Sequence, residues 1–84
     1  VNYNILQKRL IYKANNRGWK ETDILLGGFV NKNIDKLTNE QLMMLDILLD
    51  QADAEIFNWI TKKILVPAEY DNIVMKMLQS FNNF

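Results

Sequence analysis

The sequence predicts an all-α fold, a compact bundle of about five short helices forming one domain over residues 1–84. Apolar residues recur at intervals of three and four along nearly the whole chain, and no convincing run of strict alternation interrupts them. Stop and cap residues punctuate that periodicity at short spacing: Asn15-Asn16-Arg17-Gly18, Thr38 with Gln41, and Pro67. The chain has 84 residues, 49% of them hydrophobic and 24% charged, the composition of an ordinary globular protein. A chain of this length buries roughly 60% of the surface its unfolded form exposes, enough to fold without staples.

The first helix is expected from about Asn4 to Asn16, with Leu6, Leu10 and Ala14 on one face. Gly18 is expected to close it, since glycine takes the left-handed conformation of a helix C-terminus at little steric cost. A second helix begins near Trp19, with Glu21 and Asp23 in its first turns, where carboxylates complement the positive end of the helix dipole. It reaches about Lys32 and buries Ile24, Leu25 and Phe29. Each residue of its Gly27-Gly28 pair costs about 1 kcal/mol against alanine, so another backbone is expected to approach closely there.

The third helix has a firm start, because Thr38 and Gln41 have the spacing of a capping box. It runs to near Gln51 and presents Leu42, Leu45, Leu48 and Leu49 to the core, with Met43, Met44 and Ile47 widening the apolar stripe. Asp53 is expected to cap a short fourth helix, about Ala54 to Lys63. Ile56, Phe57 and Ile60 then lie together, Trp59 sits to one side and partly exposed, and Lys62 and Lys63 lie at the cation-favouring C-terminal end. Pro67 fixes the next boundary, so the last helix starts at Pro67 or Ala68, with Tyr70, Ile73, Val74, Met77 and Phe81 on its buried face.

Ten basic residues balance ten acidic ones, so no net field drives binding to nucleic acid or to an anionic membrane. The longest apolar stretch, Ile24 to Val30, is far short of the ~20 residues of a membrane-spanning helix. Without cysteine or histidine, disulfides, thiolate chemistry, the usual zinc sites and the commonest proton shuttle are all unavailable. Nucleotide-binding glycine motifs and Asp-rich calcium loops are likewise missing. Glu21 with Asp23, and Asp53 with Glu55, are two apart on helices and point in different directions, so neither pair converges on one substrate atom. No secretion signal opens the chain; Val1 is not methionine, so residues can precede it. The abundance of Asn, Ile and Lys, and the lack of a signal, lead to the expectation of a bacterial cytoplasmic protein.

The segment Arg17-Gly18-Trp19-Lys20-Glu21-Thr22-Asp23 spends charged residues between two apolar patterns where packing alone does not require them. Each part also has a structural explanation: Arg17 favours a helix C-terminus, Gly18 closes it, and Glu21 favours the next N-terminus. Order and spacing over Ile11 to Phe81 go further. Arg17-Gly18-x-x-Glu21-x-Asp23, Leu25-Leu26-Gly27, Phe29, a capped Leu-rich helix, Asp53, Phe57-x-Trp59 and Pro67 together resemble the SdhE family, also called succinate dehydrogenase assembly factor 2. The stretch Arg17 to Phe29 looks like the mitochondrial and alphaproteobacterial branch. Asn16 and Trp19 depart from the basic residue and the methionine often found there. The long presequence and charged C-terminal tail of mitochondrial members have no counterpart here, which again suggests a bacterial protein.

The resemblance implies an assembly factor, not an enzyme, that promotes covalent attachment of FAD to the flavoprotein subunit of succinate dehydrogenase, and in some bacteria of fumarate reductase. In that family a histidine of the client bonds to the flavin, so FAD belongs to the client and no cofactor is held tightly. The implied client-binding set is Arg17, Gly18, Trp19, Glu21, Asp23 and Trp59. Arg17 would offer its planar fork of donors to a client carboxylate or carbonyl or to a flavin-proximal group. Gly18 would let two backbones approach, and Glu21 would orient Arg17 or meet a client cation. Trp19 would enlarge the contact surface or cover the helix junction. A monomer is the default expectation. The alternative is a regulatory interaction module, since some members of the family are described as antitoxins acting against a toxin or cytoskeletal partner.

Overall fold

In the computed structural model, which describes residues 2–84 and leaves Val1 outside, five helices pack around one core. Helix α1 is Ile5–Asn15, opened by a capping box in which Gln7 N donates to Asn4 Oδ1 (2.8 Å) and Asn4 N to Gln7 Oε1 (3.0 Å). Helix α2 is composite: an α turn Lys20–Thr22, a π-helical segment Asp23–Gly27 and an α segment Gly28–Asn33, followed by a 3₁₀ turn Ile34–Lys36. Helix α3 is Asn39–Leu49, opened by the expected Thr38 and Gln41 box. Helix α4 is Asp53–Ile60, and after a 3₁₀ turn Ala68–Tyr70 the chain ends in α5, Ile73–Phe81, capped by the Asn72 side chain.

The radius of gyration, 11.7 Å, matches the ~12 Å of a compact chain of this length. Leu10 and Ala14 of α1 meet Leu26, Phe29 and Val30 of α2 and the leucines of α3. Ile56, Trp59 and Ile60 of α4 and Val74, Met75 and Leu78 of α5 close the core from the other side. An ion cluster fastens α1 to α3: Lys13 Nζ lies 3.0 Å from Asp46 and 2.6 Å from Asp50, and Arg9 lies 2.9 Å from Asp46.

The structure corrects several expectations. Ile24 is 60% exposed, and Leu26 takes its place inside. Leu26 stands three and four residues before Phe29 and Val30 and so on their face, whereas Ile24 stands five before Phe29 and falls off that stripe. No described glycine has positive φ, so Gly18 is not a left-handed stop; α1 ends on Asn16 at φ −134°, ψ 50°. At the glycine pair the close neighbour is a side chain and not the expected backbone: a Cβ on Gly27 would lie 2.7 Å from Asn15 Oδ1, with the Ala14 carbonyl at 3.5 Å. Asp53 does not cap α4, because Ala52 holds that position and Asp53 is the first helical residue.

Met43 and Ile47, 59% and 58% exposed, face solvent and do not widen the core stripe. Trp59 is only 5% exposed because Tyr70 stacks on it at 5.0 Å between ring centres. Pro67 precedes the short 3₁₀ turn, and the last helix waits for the stronger cap at Asn72; Ile73 is then half exposed, and Phe81 sits at the core edge with its ring 5.6 Å from that of Phe29.

Helix α4 stops before Lys62 and Lys63, by a Schellman arrangement. Lys62 N donates to Trp59 O (3.2 Å) and Lys63 N to Asn58 O (2.9 Å), with Lys62 at φ 64°. Glycine is the usual occupant of that position, and a residue with a Cβ there costs about 1 kcal/mol.

Candidate functional site

The segment between α1 and α2 is built by bonds that reach across the fold. The Arg17 backbone N–H donates to Asp23 Oδ1 (2.6 Å), which folds the start of α2 back over the end of α1. The Arg17 side chain turns inward. Its Nε donates to Asp53 Oδ1 (2.7 Å), its Nη1 to the Leu49 carbonyl (2.6 Å) and its Nη2 to the Gln51 carbonyl (2.9 Å). Those carbonyls lie at the C-terminal end of α3, where the helix dipole favours a cation.

Asp53 is the hub. Besides Arg17 it accepts from the Gly18 backbone N–H (Oδ2, 3.2 Å), and the Thr22 hydroxyl lies 3.0 Å from its Oδ1 and 3.0 Å from the Trp19 carbonyl. Thr22 is fully buried, and the Arg17 and Asp53 side chains are 10% and 17% exposed. Burial pushes the Asp53 carboxyl upward, but the bonds from Arg17 and Thr22, the Arg17 charge and the Gly18 N–H outweigh it and hold the group below the ordinary aspartate range.

With Arg17, Thr22 and Asp53 turned inward, the hinge presents Gly18, Trp19, Lys20 and Glu21 to solvent. Trp19 is 45% exposed and inclined against Phe57, 6.4 Å between ring centres. Lys63 Nζ lies over the same Phe57 ring, 5.2 Å from its centre. The Glu21 carboxylate has no ion pair or hydrogen-bond partner among the described residues. The six residues read from sequence therefore separate. Gly18, Trp19 and Glu21 share an exposed face, Arg17 and Asp23 set its backbone course, and Trp59 lies in the core behind it.

Phe57, Thr22 and Asp53 belong to this arrangement, whereas the sequence suggests a core place for Phe57 and a cap for Asp53 and singles out no role for Thr22. A signal for Thr22 was present: it falls on the inward stripe with Leu26 and Phe29, where a hydroxyl needs a buried partner. Among the described residues no cluster of acidic groups could hold a metal ion, and no helix is long and apolar enough to cross a membrane. What the hinge exposes chemically is an aromatic ring, a carboxylate and nearby ammonium groups.

Comparison with known proteins places this geometry in context. The family profile Sdh5, described as flavinator of succinate dehydrogenase, matches residues 8–82. The chain is similar to the mitochondrial succinate dehydrogenase assembly factor 2 of Dictyostelium discoideum, with 49% identity over 74 residues, 88% of this chain and 52% of that protein. It is similar to the protein of the same name from Candida glabrata, 41% identical, covering 98% of this chain and 58% of that one. It also resembles the FAD assembly factor SdhE of Acetobacter pasteurianus, 41% identical, covering 75% and 58%. The chain thus spans about half the length of the curated relatives it matches. The expectation of a bacterial cytoplasmic protein is corrected by these matches. The Dictyostelium and Candida proteins are named mitochondrial, and a chain half their length says nothing about a presequence or tail.

Proposed function

The chain belongs to the flavinator of succinate dehydrogenase family, and on that premise we propose that it is the domain by which such a factor holds the flavoprotein subunit of succinate dehydrogenase while FAD becomes covalently attached. The setting is mitochondrial, as for the Dictyostelium and Candida proteins. The chain supplies binding and the client supplies chemistry: with no histidine and no cysteine, the domain has no residue of the kinds that most readily bond to flavin.

The observation that carries this reading is the division of the hinge. Arg17 is spent on Asp53, Leu49 and Gln51, and the exposed Trp19 is held beside Gly18 and Glu21. Arg17 and Asp23 act as positioning residues. Trp19 provides the large amphipathic contact typical of interface hot spots, and Gly18 leaves room for the client backbone beside it. Glu21 meets a client cation or backbone N–H. Trp59, buried against Tyr70, acts through the packing of α4 and not as a contact.

The test is covalent flavin on the flavoprotein subunit, read by in-gel fluorescence after denaturation, in cells lacking this protein. Wild type is expected to restore it, whereas Trp19→Ala and Gly18→Leu remain folded and fail. A Cβ at Gly18 meets only Asp53 Oδ2, at an ordinary 3.5 Å, so the backbone position accepts a side chain, and far-UV circular dichroism checks the fold of each variant. Equal flavin in every sample would overturn the reading. The same assay on a fumarate reductase flavoprotein tests a second client.

A further inference from the structure

The loop after α4 carries features that its own fold does not use. Lys62 occupies a left-handed position where glycine is the usual residue, so the loop holds a side chain against a steric preference. Neither Lys62 nor Lys63 has an ion-pair partner among the described residues. Lys63 is held over the Phe57 ring, which fixes its direction. At the tip, Leu65 is 93% exposed and Ile64 53%, in a chain that buries seventeen other apolar side chains. The loop also lines a cleft of about 370 Å³ together with Trp59, Val66, Asp71 and Gln79.

This loop is continuous with the hinge face. Trp19 lies against Phe57, Phe57 under Lys63, and Lys63 beside Ile64 in sequence, so one exposed strip runs from the hinge to the loop tip. The chain as a whole is neutral, so any attraction the loop exerts comes from Lys62 and Lys63, while Lys20 and Glu21 offset each other at the hinge end of the strip.

We propose that residues 62–65 are a second docking element for the flavoprotein subunit, in which Leu65 enters an apolar recess of that subunit and Lys62 and Lys63 meet carboxylates at its rim. The inference rests on the reading above and adds the kind of surface the client must present: acidic around an apolar pocket, beside the patch that receives Trp19. Buried apolar anchors dominate such contacts, and rim charges mainly speed encounter and set salt dependence.

The test is the affinity of the purified protein for the recombinant flavoprotein subunit, by calorimetry at low and high salt. The variants are Leu65→Asp, Leu65→Ser and the double reversal Lys62→Glu with Lys63→Glu; far-UV circular dichroism checks the fold. Both Leu65 variants are expected to weaken binding about tenfold or more at either salt. The double reversal is expected to weaken it about tenfold at low salt, with most of the difference gone near 1 M, where the screening length is about 3 Å. Wild-type binding that the loop variants leave unchanged, while Trp19→Ala abolishes it, would overturn the loop proposal alone. Wild type that does not bind the subunit at all would overturn both it and the reading on which it rests. Loop variants that lose binding only to vesicles of anionic lipid would make the loop a membrane contact and overturn the proposal.

Discussion

Replacing Arg17 should damage the fold before it damages any interface. Arg17→Ala removes a guanidinium that donates to three separate acceptors and strands the Asp53 carboxylate, only 17% exposed, without its cation. A hydrogen bond to a charged group contributes about 1.5–3 kcal/mol. Leaving a mostly buried charge unpaired brings the expected loss to about 3–4 kcal/mol. At about 0.05–0.15 kcal/mol per residue, a chain of 84 residues has about 4–13 kcal/mol in total, so this one change removes a large share.

Arg17→Lys should lose about 1–2 kcal/mol, because one ammonium keeps the charge but cannot span Asp53, Leu49 and Gln51 together. Urea denaturation with wild type, Arg17→Lys and Arg17→Ala checks this; the midpoints should fall in that order at constant slope. A loss below about 1 kcal/mol for Arg17→Ala would refute the inward assignment of the guanidinium and return Arg17 to the contact surface. Flavin lost in cells carrying Arg17→Ala therefore has to be read beside the folded fraction.

Lys62→Gly should stabilise the protein by about 0.5–1 kcal/mol in thermal melts, since it relieves the left-handed position, while removing one cation of the proposed docking loop. Gly28→Ala should raise the melting temperature, by about 4–8 °C per kcal/mol gained, because its Cβ meets Phe81 at an ordinary 3.6 Å. Gly27→Ala should not, because its Cβ would displace Asn15 from its bonds to Ile11 O and Asn31. At Asp46, burial pushes the carboxyl up but Lys13 and Arg9 hold it low, and Asp53 is likewise depressed. Their contribution is fully present above the ordinary aspartate value of about 4 and is lost as pH falls through their lower folded values, so stability should drop steeply below about pH 4. Asp53→Asn should flatten that dependence in acid titrations followed by circular dichroism.

The elements that could be read from sequence were those fixed by neighbours in the chain. Thr38 and Gln41 announce α3 because a capping box is closed within one turn, and the leucines that follow repeat at plain α-helical spacing. In α2 the π turn leaves no mark in local spacing, although α-helical spacing back from Phe29 and Val30 does point to Leu26 over Ile24. Trp59 is buried by Tyr70, eleven positions later, a packing partner that helical periodicity does not reveal. The same limit applies at the hinge. Its charged residues stand out, but whether Asp53 caps a helix or receives Arg17 depends on two residues 36 apart meeting in space.

The π turn at Asp23–Gly27 also gives the gene segment that encodes α2 a one-sided tolerance of length. An i→i+5 turn takes in one more residue than an α turn for about the same circuit of the axis, so deleting one codon within 23–27 would leave a regular helix with Lys20–Thr22 little rotated relative to Phe29 and Val30. Inserting a further codon has no such outlet, because each added α-helical residue turns the chain by about 100°. Thr22 would then swing off Asp53, and Trp19 would leave its place against Phe57. In this segment, a one-residue deletion should therefore be easier to tolerate than a one-residue insertion.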